Sequence, residues 1–192
     1  MTVYAFGLTT PRNFLEKARR EVGRLANISW EMSADLSVED IQDTAINAVL
    51  TIWHVSDWIA HSTDQKCIAA IERIRIEQAS QKSAPIAVLR EFLRKDRNLA
   101  LCETLANGAK HLTLHTPPKR HPLRAPDSQT ASQGDTAVQI IRSDVTIAMA
   151  AGSAMPPILF AKIQIDNESV AALDVFHAAL AYWDQFFAAY QL

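Results

Sequence analysis

Within Thr51-Ile52-Trp53-His54-Val55-Ser56-Asp57-Trp58-Ile59-Ala60-His61, two imidazoles and a carboxylate recur at helical spacing. At about 100° per residue, His54, Asp57, Trp58 and His61 share one sector of a helix, and Asn47 and Thr51 extend it. Polar groups in so apolar a segment are costly unless they are paired or used. A second stripe places Asp96, Glu103, Asn107, Lys110 and His111 on one side of a later helical run, with Leu101, Leu105 and Ala109 on the other. Antiparallel packing of the two runs would set His54, Asp57 and His61 against Glu103, Asn107, Lys110 and His111 across a bundle interior, a frequent location for ligand and catalytic sites.

Three readings fit these residue types. Metal-free cleavage of RNA through the 2′-hydroxyl needs a histidine as general acid or base, a cation such as Lys110 on the phosphate, and an amide such as Asn107 to orient the reacting group. The catalytic set is then His54, Asp57, Asn107, Lys110 and His111, with Thr51, His61 and Glu103 as binding residues. A metal-dependent hydrolase would use His54 and His61 with Asp57 or Glu103, donors that suit zinc, iron or manganese. However, His54 and His61 lie two turns apart, about 10 Å of rise, and no HExxH or repeated Glu-x-x-His pair occurs, so the sequence assigns no metal and no cofactor. In the third reading the stripes are structural. His54 and Asp57 then form a buried hydrogen-bonded network, His111 ends a helix at its negative pole, and the chain is a non-enzymatic interaction module with a protein partner.

The elements that must hold these groups follow from composition and periodicity. A chain of 192 residues, 48% hydrophobic, suits one domain spanning 1–192. A formal charge of −2 supplies no global attraction to polyanions, so any RNA or nucleotide contact must be local. Two cysteines, Cys67 and Cys102, suggest neither a metal knuckle nor a disulfide framework. The N-terminus lacks a basic, then apolar leader, and no run reaches about 18 apolar residues, so a cytoplasmic protein without membrane contact is expected, its oligomeric state open.

Helices are expected over about 11–28, 38–62, 64–79 and 85–110, the last with a break allowed near Asp96. Thr10 and Pro11 open the first, whose outer face carries Arg12, Glu16, Arg19, Arg20 and Arg24, with a Glu16–Arg20 pair favoured. Ser37 opens the second, and Ile68, Ile71 and Ile74 or Arg75 should line the inner side of the third. An irregular loop over about 115–136 precedes a β-hairpin over about 138–165, with Val145 to Met149 pairing Leu159 to Ile165 and Ile147 and Ile163 on its core face. A final helix over about 168–190, capped by Asp166 or Asn167, carries Val170, Leu173, Phe176, Leu180, Trp183, Phe187 and Tyr190 as its packing stripe. The fold class is mainly α, a helical bundle with a β-hairpin before the last helix.

The long helix with His54-x-x-Asp57-Trp58, the helix ending Asn107-x-x-Lys110-His111, the hairpin, and Tyr182-Trp183-x-x-Phe186-Phe187 together resemble uncharacterised bacterial proteins related to HEPN-like helical bundles. The likeness covers most of the chain through short motifs. It implies an all-helical core and RNA cleavage of the kind found in toxin or phage-defence systems. The hallmark of that group, an arginine followed after four to six residues by a histidine, is absent: Arg97-Asn98 resembles its opening, but Cys102, Glu103 and Thr104 stand where the histidine would fall.

Overall fold

The computed structural model describes residues 8–30, 38–113, 141–148, 158–165 and 168–192. Its elements are α1 (Pro11–Trp30), α2 (Val38–Ala60), α3 (Gln65–Glu77), α4 (Pro85–Leu93), α5 (Arg97–Thr113), β1 (Ile141–Ala148), β2 (Ile158–Ile165), β3 (Glu168–Ala171) and α6 (Ala172–Tyr190). The chain is mainly helical, with an antiparallel hairpin before the C-terminal helix, as the periodicity predicts.

Helix α2 is the hub. It touches all five other helices of the described residues and strands β1 and β2, which requires apolar residues on nearly every side, and Ile41, Ala48, Val49, Ile52, Trp53, Val55 and Ile59 are all buried. Helix α6 closes over it with Phe176, Leu180, Trp183, Phe186 and Phe187, and the Trp183 indole N–H donates to the Ile52 carbonyl at 3.1 Å. The aromatic stripe is core, because its rings pack edge to face on one another.

Local signals placed several ends correctly. The Asn13 backbone N–H donates to Thr10 Oγ1 at 3.1 Å ahead of Pro11, and Asp64 accepts from the Lys66 N–H at the start of α3. Strand β1 pairs β2 with Val145 opposite Ala161 and Ile147 opposite Leu159, and Ile163 is buried. Ser37, Met149, Asp166, Asn167 and the expected loop over 115–136 lie outside the described residues.

Other expectations needed correction. The run over about 85–110 is two helices rather than one, with the break at the place the sequence allows: the chain turns at Arg94–Asp96, and the Asp96 carboxylate caps α5 by accepting the Leu99 N–H at 2.9 Å. The hairpin gains a third strand, β3, in which Val170 pairs with Ile163, so α6 begins at Ala172 rather than near 168. Ile68 is exposed, and Cys67, Ala70, Ile71 and Ile74 form the inner face of α3. Glu16 pairs with Arg19 rather than Arg20, because Arg19 also bonds Asp184 on α6. No described helix is long and apolar enough to cross a membrane.

Candidate functional site

Helix α2 carries its polar residues along two edges. Toward α1, Thr51 is buried, and its hydroxyl donates to the Asn47 carbonyl at 2.7 Å while accepting from Lys17 Nζ at 2.9 Å. Lys17 also pairs with Glu21 at 3.1 Å, and Glu21 with Arg24 at 2.7 Å. Burial raises the Glu21 carboxyl, but Lys17 and Arg24 outweigh it and leave the group below its ordinary value. Trp58 continues this seam by stacking on Phe14, centroids 5.0 Å apart.

Toward α4 the arrangement is open. His54 Nε2 lies 3.9 Å from Asp57 Oδ2, too far for a hydrogen bond but close enough for an ion pair when the imidazole is protonated. Arg90 of α4 donates from Nη2 to Asp57 Oδ1 at 2.8 Å and lies over the Trp53 ring, 5.5 Å from its centroid. The side chains of His54 and Asp57 are 28% and 32% exposed. One carboxylate therefore serves a guanidinium with one oxygen and faces an imidazole with the other. Arg90 Nε is buried without a hydrogen-bond partner among the described residues.

The second stripe divides in the same way. Helix α5 packs on α2 through Leu99, Cys102 and Ala106, all fully buried. Glu103 is buried too, but its carboxylate is gripped by Arg94, whose Nε and Nη2 donate at 2.6 and 2.7 Å. The hydrogen bonds to Glu103 hold the Arg94 guanidinium above its ordinary pKa. Asn107 is exposed on α5, and His61 is exposed just past α2, its N–H donating to the Asp57 carbonyl. Lys110 and His111 belong to α5, but their side chains lie outside the described residues.

Of the residues singled out from sequence, the structure brings His54 to Asp57, sends Thr51 to Lys17, and sends Glu103 to Arg94. Sequence reasoning missed Arg90 and Arg94, which lie 33 and 9 residues from the carboxylates they hold. The signal available was their spacing, one helical turn apart beside an apolar Leu89 and Leu93.

Cysteine chemistry has little support. Cys102 is fully buried and burial pushes its thiol far up, while burial also raises Cys67. Among the described residues no three His, Cys, Asp or Glu side chains group as a metal site requires. A cleft of about 360 Å³ opens between the first turn of α5 and the β3–α6 junction, lined by Arg97, Asn98, Ser169 and Asp174 among others. None of the candidate residues lines it.

No family model, no curated protein and no solved structure matches this chain. The candidate site therefore rests on its own geometry.

Proposed function

We propose that this chain binds RNA or a nucleotide at the α4-facing edge of α2 and cleaves RNA without a metal, in the manner that the resemblance to HEPN-like bundles implies. One observation carries the reading. An imidazole, a carboxylate and a guanidinium seated on an indole meet at the edge of the hub helix with about a third of each polar side chain exposed. Imidazole moves protons near neutral pH, and a carboxylate beside it steadies its charged form. In this reaction one histidine takes the proton of the 2′-hydroxyl, whose oxygen attacks the adjacent phosphorus. The 5′-oxygen leaves with a proton from an acid, and a 2′,3′-cyclic phosphate results. His54 and His111 are assigned to these two proton transfers, Asn107 and Lys110 to orienting and holding the phosphate, and Asp57 to positioning.

The test is incubation of purified protein with total RNA in the presence of a chelator. Cleavage by the wild type, lowered about 10²-fold or more in His54→Ala or His111→Ala, is the expected result. RNA left intact and unbound at low salt overturns the reading. Activity that the chelator abolishes would transfer it to a metal-dependent hydrolase.

A second reading, a non-enzymatic protein-interaction module, draws support from Thr51 and Glu103. Both are buried with their side chains engaged by Lys17 and Arg94, as structural polar groups should be. It predicts that the wild type and His54→Ala alike leave RNA intact, with no difference between them.

A further inference from the structure

We propose that Arg90 and Arg94 form a two-point clamp for consecutive phosphates of single-stranded RNA, an inference that rests on the RNA reading above. Arg90 lies in the last turn of α4 and Arg94 is its C-cap residue, four positions on with helical dihedrals, so the two side chains leave neighbouring positions at the C-terminal end of the helix. Each is held from a different direction, Arg90 by Asp57 of α2 and Arg94 by Glu103 of α5. Neither guanidinium is used up. Arg90 spends only Nη2 on Asp57, Arg94 spends Nε and Nη2 on Glu103, and the Nη1 groups of both make no hydrogen bond among the described residues. A guanidinium has five N–H donors in a fixed fork, so each retains enough to take a phosphate oxygen.

Exposure agrees with this use, at 32% for the Arg90 side chain and 55% for Arg94. Pinning helps affinity, because a guanidinium already held by a carboxylate, and for Arg90 laid on Trp53, loses little freedom when a ligand arrives. Asp57 and Glu103 also neutralise most of the charge, and Glu91 of the same helix adds to this. Recognition must therefore work through short hydrogen bonds rather than long-range attraction. That favours a flexible single strand able to bring two phosphates onto one helix face. Asp57 and Glu103 become positioning residues, which explains why two carboxylates that look chemical in the sequence face arginines.

Fluorescence anisotropy with a labelled single-stranded oligoribonucleotide tests the clamp. The variants are Arg90→Lys, Arg94→Lys and the double change, which keep both charges and both ion pairs but lose the fork, with Arg73→Lys as a control on the exposed face of α3. The double variant should bind about tenfold or more weakly while staying folded at the assay temperature, and Arg73→Lys should bind as the wild type. If the double variant binds as tightly as the wild type, the clamp is wrong and the RNA reading survives. A mononucleotide that competes as well as the oligomer at equal phosphate concentration would also overturn the clamp, since one phosphate would then suffice. Wild type that binds no RNA at low salt overturns the reading itself. Should the double variant melt early, the mononucleotide competition decides alone: weaker competition than the oligomer at equal phosphate concentration supports the clamp, and equal competition refutes it.

Discussion

The two edges of α2 use similar polar groups to opposite ends. On the α1 side, Thr51, Lys17, Glu21 and Arg24 form a continuous seam in which Thr51 and Glu21 are nearly buried and engaged by cations. On the α4 side, His54, Asp57 and Arg90 stay about a third exposed, and Arg90 holds a buried Nε with no partner among the described residues. On a helical wheel the residues of both edges belong to one stripe. What separates them is how completely their hydrogen bonds are met. A saturated seam stabilises and orients helices, whereas an edge with donors to spare can take a ligand.

Five changes would break or sharpen that contrast. The largest effect is expected at the open edge, where His54→Ala should lower RNA cleavage about 10²-fold yet change stability by less than about 1 kcal/mol, because its ion pair is long and partly solvated. Parallel activity assays and melts check both halves, and a large loss of stability with no change on RNA would make His54 a structural residue. Next, Arg94→Ala should cost about 2–3 kcal/mol in denaturant titration, since it strands the nearly buried Glu103 carboxylate; the half-exposed arginine keeps the loss below that of a fully buried pair. Glu103→Gln should cost less, as the amide remains a hydrogen-bond acceptor for Arg94.

On the seam, Thr51→Val should cost about 1 kcal/mol by removing the Lys17 acceptor, with RNA affinity unchanged. A loss of RNA affinity there would merge the two edges into one site. The smallest effect concerns acid. Because the folded Glu21 carboxyl lies below its ordinary value of 4.5, the unfolded chain takes up its proton first as pH falls. The Glu21 contribution is thus fully present above that value and is lost as pH drops through the folded pKa. Melting temperatures measured down the acid limb should fall less steeply for Glu21→Gln than for the wild type.

Much of the fold was legible because its signals are local. Thr10-Pro11 caps α1, the 3.6-residue stripe of α6 survives as core, and alternation over 141–148 and 158–165 marks the two paired strands. The α4–α5 break was harder to read because Arg94-Lys95-Asp96-Arg97 contains neither glycine nor proline, and Asp96 acts as a cap only through its own side chain. Strand β3 escaped because Val170 also fits the helical spacing of Leu173 and Phe176. Its strand character comes from pairing with β2, a tertiary effect. Of the candidate site, only the helix face was legible. Residue type and period put His54 and Asp57 together on α2, but the partners that sort polar groups into seam and edge are long-range in sequence, as Lys17 is from Thr51 and Arg90 from Asp57. Periodicity names a face of a helix and is silent on which neighbour covers it.

The most direct test is a heteronuclear NMR titration of the protein with a short single-stranded RNA, following the His54 imidazole, the Arg90 guanidinium and the Thr51 amide together. If the α4-facing edge is the binding site, His54 and Arg90 signals shift with RNA concentration while Thr51 stays in place. Shifts centred on Thr51 and the α1 seam, or none at saturating RNA, would contradict the assignment of ligand binding to the open edge of α2.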